Sequence, residues 1–170
     1  MKRSVLPGAC LLLALILVAG CTGPGSPGHG SPAANGSVDL SKAASVDVTA
    51  VGKDWDTVPG LDGVVVYTDI KDNDRQSVLW EGPPLAADIE IWTTKAGPDM
   101  RETKDREVYS GTANISSWRD GKVLMGGGIR VPFSSMTVPA GKTTGMTIVT
   151  IHLPGGNDLT GYTGTTALVP

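Results

Sequence analysis

Residues 87–94 read ADIEIWTT. Ile89, Ile91 and Thr93 alternate with Asp88, Glu90 and Trp92, the period of two that a strand with one buried and one wetter face requires. The same period recurs along the chain. Val46, Val48 and Ala50 alternate with Asp47, Thr49 and Val51, while Val149, Ile151 and Leu153 keep register within residues 144–153. Residues 61–70 (LDGVVVYTDI), 77–81 (SVLWE), 106–116 and 122–133 supply further extended runs, and 144–153 is the last clear one. Gly-Pro, Pro-Gly, Asn-Asp and Asp-Gly pairs bound them, as turn chemistry demands. No stretch has the apolar stripe of an amphipathic helix; residues 97–107 allow a turn of helix at most. About seven short strands predict an all-β fold: an antiparallel β-sandwich of immunoglobulin or fibronectin III type. The paired cysteines of true immunoglobulin domains are absent, so a jelly roll or small barrel stays open.

The first twenty residues obey another logic. Met1-Lys2-Arg3 opens basic, and residues 9–19 (ACLLLALILVA) form one short apolar run. A spanning helix needs about 20 apolar residues, so this run has the length of a secretory h-region instead. It ends in Leu17-Val18-Ala19-Gly20-Cys21, which resembles the lipobox of bacterial-type lipoproteins, with Val18 where leucine is more usual. The resemblance covers residues 1–21. It implies a diacylglyceryl group on Cys21, cleavage just before it, acylation of the new amino terminus, and anchorage at the extracytoplasmic face of a prokaryotic membrane. Two or three acyl chains, at about 0.8 kcal/mol per buried CH₂, suffice for such an anchor. Cys10 leaves with the signal peptide, so the mature domain is expected to lack a disulfide, a thiolate nucleophile and a cysteine metal site.

Residues 22–37 (TGPGSPGHGSPAANGS) carry no apolar periodicity and cannot offset their ordering entropy. They read as a flexible tether with an r.m.s. span of about 20–25 Å. The chain therefore divides into a signal peptide (1–20), a lipidated cysteine with its tether (21–37) and one β domain (38–170). Without Lys2 and Arg3 it keeps 12 basic against 17 acidic residues, a net charge near −5. With no basic block, nucleic acid is not an expected partner. The expected partners are the membrane, through the lipid, and a protein or glycan at the surface.

Chemistry is sparse. Hydrolysis by a serine needs a neighbouring base, and the domain's one histidine, His152, falls on a strand opposite Val149, Ile151 and Leu153. Asp69, Asp72 and Asp74 lie close enough in TDIKDNDR to suggest calcium, but their spacing is not that of an EF-hand loop, and a hairpin turn explains them as well. The four methionines of the domain read as packing filler. Gly126-Gly127-Gly128 lacks the Lys and Ser/Thr of a phosphate loop and predicts a bulge or bend. Asp88 and Glu90, about 7 Å apart by strand geometry, have a spacing that suits a glycosidase pair and equally a solvated strand. No cofactor is expected.

The aromatic residues say more. Trp55, Trp80, Trp92 and Trp118 stand against a single Phe133. Trp92 shares a face with Asp88 and Glu90, making these three the candidate ligand face: an uncovered ring there can stack a sugar or hold a cation, while a ring under a loop joins the core edge. Asn35 and Asn114 open two N-x-S sequons. The sequence thus supports a non-enzymatic binding or structural module on the cell envelope. A ligand- or calcium-binding accessory subunit of an export or uptake complex is the alternative, and a hydrolase using carboxylates the remote one.

Overall fold

The computed structural model describes residues 40–170. Residues 1–39, which hold the expected signal peptide, Cys21, the expected tether with Asn35, and the first residues from Val38, lie outside the described residues. Seven strands follow: β1 (Ser45–Lys53), β2 (Gly63–Lys71), β3 (Glu81–Ala96), β4 (Glu102–Ser117), β5 (Ile129–Pro132), β6 (Thr144–His152) and β7 (Asp158–Ala167). They form two antiparallel sheets, ordered β1-β2-β5 and β4-β3-β6-β7. Among the described residues, helical structure is limited to three short 3₁₀ turns. The expected sandwich is what these residues build. In a constant-type immunoglobulin domain the fourth strand lies beside the fifth. Here β4 pairs with β3 instead.

The core lies between the inner faces. Val46, Val48, Val64, Val66 and Val131 from the smaller sheet meet Leu85, Ile89, Ile91, Val149 and Ile151 from the larger, all buried. β-Branched side chains dominate because they pack well on a pleated surface. Three buried hydroxyl groups settle two places where the ladder slips. Thr93 accepts from the Arg106 N–H at 3.1 Å and donates to the Arg106 carbonyl at 3.3 Å beside the β3–β4 bulges. Thr147 and Thr166 bond each other at 2.8 Å beside the β6–β7 bulge.

The strands differ from expectation in three places. Residues 77–81 make only one isolated bridge, Lys71 to Ser77, before β3 begins at Glu81; Trp80 is drawn into the core instead. Of residues 122–133 only Ile129–Pro132 is strand, and the preceding stretch is a loop with a 3₁₀ turn. Residues 97–107 hold no helix: they turn after β3 and enter β4. The seventh strand is β7, which sequence periodicity missed because Gly161 and Gly164 interrupt its apolar pattern. Gly161 is needed there, since a Cβ would run into the Val46 carbonyl. The close approach of β1 to β7 leaves no room for one.

β2 decides where function can sit. Six consecutive residues, Gly63 to Thr68, are buried although strand side chains alternate between faces. Val64, Val66 and Ile70 point into the core, whereas Val65 and Tyr67 point outward in register with Val51 and Thr49. Something covers the outer face of the smaller sheet. It is the loop between β4 and β5, residues 118–128.

Candidate functional site

The outer face of the larger sheet carries Asp88, Glu90 and Trp92, as the alternation required. Trp92 is half-buried. Its indole N–H donates to Glu90 Oε2 at 2.8 Å, and Lys104 Nζ reaches the same oxygen at 3.1 Å while lying 4.7 Å from the ring centroid. Lys104 gets there because register shifts flank Trp92 and pair Thr94 with Lys104, the kind of re-aiming that bulges produce. The cation over this ring is the protein's own. Hydrogen bonds from the Trp92 indole, then Lys104, hold the Glu90 carboxyl below its usual range.

Asp88 belongs to a second ladder that crosses all four strands. Thr112 of β4 donates to Asp88 Oδ1 at 2.9 Å, His152 Nε2 of β6 meets Asp88 Oδ2 at 2.9 Å, and His152 Nδ1 meets Asp158 Oδ1 of β7 at 2.9 Å. Ionised carboxylates only accept, so the protonated ring, which donates from both nitrogens, is the form that satisfies both contacts. Bonding to Asp88, then Asp158, accordingly raises the His152 pKa, and bonding to His152, then Thr112, lowers that of Asp88. Neither nitrogen is left to activate a hydroxyl group. A glycosidase pair needs one carboxyl that keeps its proton; Asp88 and Glu90 are both shifted the other way.

Asp69, Asp72 and Asp74 do not assemble into one ligand set. Among the described residues the one group of acidic oxygens within 4.8 Å of one another is Asp54, Asp56 and Asp62. These shape their own loop, with Asp62 accepting from the Trp55 and Asp56 N–H groups. Asp72 accepts from the backbone N–H groups of Asp74 and Gln76 and shapes the β2 turn. Asp69 sits between Lys122 and Lys71, the latter at 2.7 Å. Burial works against its charge, but bonds from Lys122, Lys71 and Ser77 outweigh it and lower its pKa.

That Lys122 contact ties the 118–128 loop to β2. The Gly121 carbonyl accepts from the Thr68 N–H at 3.0 Å, and Lys122 Nζ donates to Ser77 Oγ at 2.9 Å. The glycines that sequence suggested as a strand bulge are the loop's seat. Gly126 and Gly128 have φ of 69° and 102°, conformations that favour glycine. Gly128 lies so close over β2 that a Cβ would stand 2.7 Å from Tyr67 Cε1 and nearer still to Val65.

Two clefts flank this seat. One, of about 490 Å³, is predominantly apolar and lined by Thr49, Tyr67, Trp118, Val123, Leu124 and Met125. Leu124 is 95% exposed, Val123 50% and Met125 54%. The other, of about 400 Å³, is mostly polar and lies between Lys53, Trp55, Arg130 and the three glycines, over Val65 and Tyr67. Both volumes fall in the range of small-ligand sites. No family model matches the chain, and comparison with curated proteins and with solved structures finds no match. Sequence reasoning passed over this face. The signal was the unbroken Val64-Val65-Val66-Tyr67 run, which in a strand means cover on both sides.

Proposed function

We propose that this protein is a lipid-anchored, non-enzymatic binding module of the cell envelope, and that its ligand enters the groove beside the 118–128 loop. Residues 1–21 support the anchor by their resemblance to a lipobox. The observation that carries the binding reading is the groove: three consecutive apolar residues, Val123, Leu124 and Met125, are left exposed opposite Tyr67 and Trp118. Exposed apolar side chains gathered along a concave wall mark an interaction site more often than scattered ones do. The Trp92 face is the weaker choice because its polar groups already satisfy one another.

The test uses the full-length Cys21→Ser chain, which is expected to leave the membrane fraction and dispense with detergent. Titration with the neutral fluorescent probe N-phenyl-1-naphthylamine should saturate at one site. Val123→Ser with Met125→Ser should weaken it by tenfold or more without lowering the melting temperature. A probe that does not bind, or binds the double variant equally, rejects the groove. A Cys21→Ser chain that still sediments with membranes rejects the anchor.

A further inference from the structure

We infer that the second cleft, bounded by Trp55, Arg130, Lys53 and the Gly126–Gly128 turn, binds a small organic anion carrying a carboxylate or a phosphate monoester. This rests on reading the outer face of the smaller sheet as the ligand-binding surface, and adds the charge of what is bound there.

The cleft is built by a missing side chain. Gly63 opens β2 on its outer face, and a Cβ there would stand 2.6 Å from Trp55 Cη2. The bare position leaves room for the β5 backbone, whose Val131 carbonyl is the first atom a Cβ would meet, and for the Trp55 indole, the use expected of a strand glycine approached by other groups. The Trp55 N–H donates to Asp62 Oδ2 at 2.6 Å and fixes the ring's backbone. The Arg130 guanidinium stands 5.5 Å from the Trp55 centroid, and Lys53 Nζ stands 5.9 Å from that of Tyr67. Each cation is thus held at an aromatic ring, a contact worth about 0.5–1 kcal/mol where exposed.

Among the described residues neither cation has a carboxylate partner. Of the twelve Lys and Arg residues between 40 and 170, eight form ion pairs, leaving Lys42, Lys53, Arg106 and Arg130. Two of those four line this one cleft, on a chain whose net charge is negative. Asp54 is the acidic residue in its wall, and Asp54 Oδ1 accepts from the Asp56 N–H at 3.2 Å. Asp62 is turned to the Trp55 and Asp56 N–H groups. Lys53 and Arg130 bring two positive charges to the lining against the one carboxylate of Asp54, and an excess of positive charge in a cleft favours an incoming anion. Cations already placed by aromatic rings need little further ordering to meet it. The cleft, at about 400 Å³ over Val65 and Tyr67, is larger than a bare ion needs and offers an apolar floor to the rest of the molecule.

Calorimetric titration of the full chain at low ionic strength, with glucuronate and glucose 6-phosphate as probes and glucose as neutral control, tests this. At least one anion should bind and glucose should not. Lys53→Gln with Arg130→Gln should weaken anion binding at least tenfold, while Lys53→Arg with Arg130→Lys should restore it to within about threefold. Anions that bind no better than glucose, or equally to the Gln pair, overturn the inference, as does loss of binding in the charge-keeping pair. Naphthylamine titration of the same proteins separates the two readings. Retained dye binding with no anion binding sinks this inference alone; anion binding without dye binding sinks the groove alone.

Discussion

Replacing Gly128 by alanine tests whether the 118–128 loop is seated on β2 or merely rests near it. The added Cβ would stand 2.7 Å from Tyr67 Cε1 and closer to Val65, where carbon contacts are comfortable at about 3.5–4.0 Å. Overpacking of this kind costs about 1–3 kcal/mol, and a non-glycine residue at φ 102° adds about 1–3 kcal/mol of backbone strain. The loop has an escape, which is to lift. Lifting uncovers Val65 and Tyr67, now 5% and 4% exposed. At about 1.5–3 kcal/mol for each fully buried side chain, baring roughly half of both limits the loss to about 1.5–3 kcal/mol. At this size that lowers the melting temperature by roughly 5–15 °C. Gly126→Ala is the internal control: φ is 69°, nothing lies within 4 Å of a new Cβ, and only about 1–2 kcal/mol of left-handed strain is added. Urea melts of the two variants should therefore separate by about 1 kcal/mol, with Gly128→Ala the weaker. Equal losses would refute the seat, and with it the origin of both clefts.

The His152 ladder makes stability depend on pH in a defined direction. A histidine pKa raised above 6.5 contributes stability that is full below 6.5 and is lost as pH rises through the folded value. An Asp88 pKa lowered below 3.8 contributes stability present above 3.8 and lost as pH falls through its folded value. The ladder is thus strongest between those limits, and melting temperature should fall from pH 6 to 8.5 more steeply in the wild type than in His152→Gln; parallel curves would count against it. Trp92→Ala should cost about 1–3 kcal/mol in a denaturant melt. Its ring is half-buried and partnered, which places it between a surface substitution and a fully buried aromatic at about 3–5 kcal/mol; a loss outside about 0.5–4 kcal/mol contradicts that placement.

Alternation made the larger sheet legible because β3 and β6 each expose one face: Ile89, Ile91, Val149 and Ile151 could be assigned inward from spacing alone. β7 was hidden because its packing relies on glycine, a residue that adds nothing to a hydropathy pattern. The partners of Asp88 were illegible for a different reason. Thr112, His152 and Asp158 lie on three other strands, and only pairing register brings them together. The clefts were illegible for both reasons at once. They depend on Gly63 and Gly128, where the informative atom is absent, and on a loop whose landing place is set by Lys122 meeting an aspartate more than fifty residues earlier.

The close approach of β7 to β1 has a practical consequence. Gly161 lies against Val46, and Gly52 lies against Ala167, so the two strands run in the same direction. The chain reaches β1 through Leu40–Lys42 at one end of the domain, and β7 leaves at the other, beside Lys53, about 26 Å away at 3.3 Å per residue. The entry to β1 and the exit from β7 are therefore not equivalent handles. A reporter or purification tag joined after Pro170 emerges at the Lys53 end of β1, the end that carries the cleft. Immobilising the protein through its amino-terminal side leaves that cleft facing the solution, so sensor surfaces and pull-downs should be built from that side.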